Sequence, residues 1–153
     1  MGALCSKKNV VVTIPLSDRW NGKFPKYKAQ AEEACKQWAK HSPSVTIKYV
    51  CSKERESERF WMHFDFQKLE ILVGMLKYEK GRDIVCVVAD ADVHLGDYTI
   101  HDLERLPPNR LGLGKGTDPR LENFFIAARP TEQMVRSIER VLDIMKDFPC
   151  KCD

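Results

Sequence analysis

The sequence predicts an α/β domain built on an open, mostly parallel sheet with helices on both faces. Segments rich in β-branched residues alternate with segments of helical periodicity along the chain. One continuous apolar run, Ile84 to Val88, has the length and composition of a buried strand. Breaks fall where strand and helix must be separated, at Ser42-Pro43-Ser44 and at Gly81.

Residues 9–16 are β-branched and carry Pro15 near their end, which reads as the first strand. A polar loop with Trp20 follows over 17–22. Tyr27, Ala31, Ala34, Cys35 and Trp38 recur at helical spacing and predict an amphipathic helix over 25–40. Residues 45–50 alternate Val45, Ile47 and Tyr49 with Thr46 and Lys48, giving a second strand. After a charged loop over 52–59, a second helix is expected over 64–79. Phe66, Leu69, Leu72, Val73 and Leu76 lie on one of its faces, and Gly81 is its stop. The third strand is the Ile84–Val88 run. Residues 96–118 read as turn-rich with a short helical piece at 102–106, and residues 124–128 as a fourth strand. Pro130-Thr131-Glu132 opens a last helix with Met134, Ile138, Val141, Leu142 and Met145 toward the core.

At 153 residues the chain is one domain by length, assigned to 9–149, with an N-terminal tail over 1–8 and a short tail over 150–153. A net charge of +3, with basic and acidic residues interspersed, argues against a nucleic-acid surface. No stretch reaches the ~20 apolar residues that span a bilayer. An apolar leader is lacking too, so a cytoplasmic location is expected. Cys35 and Cys86 sit in apolar patterns, as buried free thiols do, and no zinc-type pair of cysteines occurs. A reduced compartment follows. The opening Met1-Gly2-Ala3-Leu4-Cys5-Ser6 fits N-myristoylation at Gly2, with Cys5 placed for palmitate and Lys7 and Lys8 for anionic lipid. That would attach the protein to a membrane surface as a lipoprotein; an ordinary frayed terminus is the alternative.

Asp90 and Asp92 follow the third strand directly. Residues i and i+2 of an extended chain point the same way, so two like charges would be held close. A hard divalent cation, Mg2+ or Mn2+, suits such oxygen ligands and would be able to grip a diphosphate. Ligands of open α/β sheets bind beyond the carboxyl ends of the strands, where this pair lies. By contrast, Gly112 to Thr117 fails as a phosphate loop, because Asn109 stands where a glycine is required and Lys115 is not followed by Ser or Thr. It fails the dinucleotide fingerprint at Thr117. A flexible surface loop, or a lid, is expected there.

Three segments together resemble the nucleotide-sugar glycosyltransferases of the GT-A fold that carry a D-x-D motif, including the toxin and effector types. Asp65-Phe66-Gln67-Lys68 through Leu72 matches a D-x-x-R-x-x-x-L helix with Lys in place of Arg. Asp90-Ala91-Asp92-Val93 matches the motif itself. Glu122-Asn123-Phe124-Phe125-Ile126-Ala127, about thirty residues on, is similar to the E-N-G strand of that family. The resemblance implies a transferase that moves a sugar from a UDP-sugar donor to an unidentified acceptor. Asp90 and Asp92 would hold Mn2+ or Mg2+ against the diphosphate and be the catalytic pair. Asp65, Lys68, Trp20, Glu122 and Asn123 would bind the nucleotide-sugar, Lys68 as a point charge without arginine's fork. Each of these has an ordinary structural role to weigh against that one: Asp65 as a helix N-cap, Lys68 as a solvated face residue, Trp20 as cover for the core, Glu122 as a partner for Arg120. The chain also ends one helix after the E-N strand, where the family usually continues into an acceptor-shaping segment.

Other classes remain in view. A non-catalytic module that binds a nucleotide-sugar or a protein would use the same pair without turnover. A Toprim-like metal-dependent nucleic-acid enzyme shares Asp-Ala-Asp-Val after a strand but needs a glutamate after its first strand. Here Pro15-Leu16-Ser17-Asp18 stands in that place. A haloacid-dehalogenase phosphatase would need Thr or Val where His94 sits.

Overall fold

The computed structural model describes residues 9–17, 25–41, 44–50, 60–93, 97–115 and 121–147. Within them lie strands β1 (Val10–Ser17), β2 (Ser44–Val50), β3 (Val85–Ala89), β4 (Gly112–Lys115) and β5 (Leu121–Ala128). The helices are α1 (Pro25–His41), α2 (Phe60–Tyr78), α3 (Asp97–Glu104) and α4 (Glu132–Asp147). The expected order of strands and helices holds through β3. Two differences follow. Gly112–Lys115 is a strand rather than a flexible loop, and the short helix begins at Asp97, earlier than its apolar residues indicate.

The five strands form one sheet in the order β2-β1-β3-β5-β4. β1 is parallel to both β2 and β3, while β5 is antiparallel to β3 and to β4. The sheet is therefore mixed, parallel on one side of β3 and antiparallel on the other, where a mostly parallel sheet was expected. Between β4 and β5, linker length is the physical reason. Only residues 116–120 separate β4 from β5, and parallel neighbours need a crossover of a dozen residues or more.

Alternation along the strands sends side chains to two cores. Val10, Val12, Ile14 and Leu16 of β1, with Val85, Val87 and Ala89 of β3, pack under Ala31, Ala34 and Trp38 of α1 and Ile100 and Leu103 of α3. Trp38 stacks on Phe125, ring centroids 6.2 Å apart. On the other face, Cys86 and Val88 of β3 and Ile126 and Ala128 of β5 meet Leu72, Val73 and Leu76 of α2 and Met134, Ile138 and Leu142 of α4. Helices thus cover both faces, as the alternating pattern implies. Val141, expected in the core, is 45% exposed, because α4 buries only the 134/138/142 stripe. No helix among the described residues is long and apolar enough to cross a membrane.

Candidate functional site

β3 ends at Ala89, and the chain turns at once: the Val93 amide donates to the Asp90 carbonyl at 3.1 Å. Asp90 and Asp92 therefore sit in a tight turn, not on an extended strand, so the same-side projection expected of i and i+2 strand residues does not apply. The turn gives the two carboxylates different surroundings. Asp92 is exposed. Asp90 retains about a quarter of its side-chain exposure and receives the Lys68 ammonium at 2.7 Å.

Lys68 is only 3% exposed, which overturns its reading as a solvated face residue. It lies four and eight residues before Leu72 and Leu76, on the stripe by which α2 meets the sheet. A buried ammonium must be paired, and Asp90 is within reach because the N-terminal half of α2 lies toward the carboxyl end of β3, the helix running from there to the start of that strand. The sequence carried the signal: a lysine in phase with an apolar helical stripe calls for a buried carboxylate.

The remaining candidates divide. α2 starts at Phe60, so Asp65 lies inside the helix and is not its N-cap; it stands three residues before Lys68, toward the same pole of the sheet. Glu122 and Asn123 belong to β5. Because β5 runs antiparallel to β3 with Ala89 opposite Phe125, their backbone lies level with or beyond the carboxyl end of β3, at the pole of Asp90 and Asp92. Trp20, Gly2 and Cys5 lie outside the described residues, as do His94, Lys7 and Lys8. The topology thus gathers Asp65, Lys68, Asp90, Asp92, Glu122 and Asn123 at one end of the sheet.

Among the described residues no three or more His, Cys, Asp or Glu side chains form a metal-binding group. Two carboxylates fit a narrower requirement. Mg2+ in phosphate-handling sites is held by one or two carboxylates and completed by substrate phosphates and water, without an all-protein cage. Cys86, four residues before Asp90, is buried, and burial, with a smaller contribution from Glu79, pushes its thiol up to about 12. Neither family models nor curated proteins give a match to this chain.

Proposed function

We propose that this domain is a glycosyltransferase that binds a UDP-sugar at the carboxyl end of β3, with Asp90 and Asp92 presenting a divalent cation to the diphosphate. The observation that carries the reading is the Lys68–Asp90 pair, 2.7 Å between nitrogen and oxygen, beside an exposed Asp92. It joins two of the three segments of the resemblance in space, the Asp65–Leu72 helix and the Asp90–Val93 turn. β5 brings the third, Glu122-Asn123, to the same pole.

In this reading Lys68 fixes the Asp90 carboxylate and keeps a positive charge beside the phosphates. Asp92, facing solvent, is the ligand that incoming nucleotide reaches first. The cation, Mn2+ or Mg2+, would offset charge on the departing diphosphate as a Lewis acid. Asp65 and the Glu122-Asn123 segment would address the sugar or the acceptor hydroxyl, and Trp20 the base. An anchored N-terminus, through Gly2 and Cys5, would hold this chemistry at a cytoplasmic membrane surface.

A second reading has its own support. The ammonium of Lys68 already balances Asp90, so that carboxylate is compensated without a metal, as in a binding module without turnover. Calorimetry with UDP and UDP-sugars, with and without Mn2+, on the wild type and Asp92→Ala, separates the possibilities. Metal-dependent binding that is lost in the variant, together with slow hydrolysis of the UDP-sugar, supports the transferase. Binding without hydrolysis supports a nucleotide-sugar module, and no binding under any condition sinks the transferase and leaves a module that binds a protein.

A further inference from the structure

At the opposite pole of the sheet three connections converge. The α2–β3 turn brings Lys80, Gly81, Arg82 and Asp83; the α3–β4 connection brings Arg105, Leu106, Pro107 and Pro108. The β5–α4 junction adds Arg129 to Glu132. They meet because Cys86 of β3 pairs with Ala128 of β5, and Ala127 of β5 with Gly112 of β4, so the start of β3, the start of β4 and the end of β5 are neighbours. Between them is an open groove of about 680 Å³, within the ~300–1,000 Å³ range of small-molecule sites.

Arg129 builds this groove. Its guanidinium donates from Nη2 to the Glu104 carbonyl at 2.6 Å and from Nε to the Leu106 carbonyl, and pairs through Nη1 with Asp83 at 3.0 Å. Its side chain is 17% exposed, whereas that of Asp83 is fully exposed. The planar cation is thus held on two backbone carbonyls, and its carboxylate partner among the described residues is a solvated side chain that an incoming anion can displace at little cost. Four cations (Lys80, Arg82, Arg105 and Arg129) line the groove against two acids, Asp83 and Glu132. Glu132 is engaged by Arg136 at 2.7 Å, and Arg82 by Glu79 at 2.9 Å. Lys80 and Arg105 are exposed on the walls. Leu106, Pro107, Pro108 and Pro130 supply apolar surface beside them.

We propose that this groove is a second ligand site, separate from the Asp90–Asp92 pole, for a small organic anion. Its phosphoryl or carboxylate group is held by Arg129, Arg105 and Lys80, and its apolar body lies on Leu106 and the prolines. The assignment is independent of the glycosyltransferase reading, since it uses none of that site's residues.

Amide NMR of the full chain tests it with phenyl phosphate, benzoate and inorganic phosphate as probes. The expected result is saturable shifts at Gly81, Arg82, Leu106 and Thr131, with phenyl phosphate or benzoate binding more tightly than inorganic phosphate. Which of the two organic probes binds better identifies the anionic group. Binding should weaken about tenfold or more in the Lys80→Gln/Arg105→Gln double variant. Both side chains are exposed, so the variant's own spectrum verifies that the fold is intact. No saturable shifts, unchanged affinity in the double variant, or shifts confined to the Asp90–Asp92 turn would overturn the proposal. Equal affinity for inorganic and phenyl phosphate would remove the apolar part of the site and overturn it as stated.

Discussion

Lys68 shows how a single side chain ties packing to chemistry. Its aliphatic stem occupies the stripe that α2 buries, while its ammonium reaches the Asp90 carboxylate just past the end of β3. Removing it leaves the Asp90 carboxylate, three-quarters buried, without that cation. Lys68→Met should cost roughly 1–3 kcal/mol in urea denaturation. Lys68→Met/Asp90→Asn should recover much of the loss, since the burden is a largely buried charge deprived of the lysine and not the missing ammonium itself. A double variant no more stable than the single one would mean that Asp90 is not the principal partner. The carboxylates were legible from their position after an apolar run. Their unequal exposure was not, because it arises from the turn at Ala91 and from a helix some twenty residues earlier in the chain.

At the scale of elements, Gly81 is the clearest case of local sequence setting structure. It has φ +78°, and the space where a Cβ would sit has no neighbour within 4 Å. Gly81→Ala should therefore cost roughly 1–2 kcal/mol from backbone conformation alone, read as a fall in urea midpoint with an unchanged slope. An unaltered midpoint would mean that the turn relaxes to a negative φ. The glycine-based stop of α2 was readable for this reason. β4 was not: Gly112-Leu113-Gly114-Lys115 has neither β-propensity nor alternation of its own. Its strand form comes from pairing with β5, where a Cβ on Gly112 would come within 3.2 Å of the Ala127 Cβ. The reversal of β5 was equally hidden, since an apolar strand such as Phe125 to Ala128 looks the same in either direction.

For the whole molecule, β3 is the common wall of both cores, and Cys86, its second residue, reports on the integrity of the strand. The thiol is fully buried and raised from 9.0 to about 12. A raised value means that the folded state keeps a proton which the unfolded state releases. The stabilisation is therefore complete below pH 9 and is lost as pH rises toward 12. Alkylation of Cys86, followed by peptide mass spectrometry at pH 8, should proceed only through global opening and slow in step with added stability; half-buried Cys35 on α1 should react sooner. Equal rates at the two cysteines would show that β3 opens locally. The α/β alternation and its two helical layers were legible in the sequence because they follow from periodicity. The pole around Arg129 was not, because it is assembled from connections far apart in the chain.

The pairing of Val10 with Val85 has one more consequence, in time and not in space. Synthesis proceeds from β1 onward, and β2 is complete long before β3 exists. Until residue 85 has left the ribosome, one flank of β1 carries unmatched amides and carbonyls beside an apolar face. Such a flank is a template for wrong partners. The nascent chain must therefore pass through a half-built sheet whose central seam closes late, and the interval in which this protein is most prone to aggregate is the translation of α2.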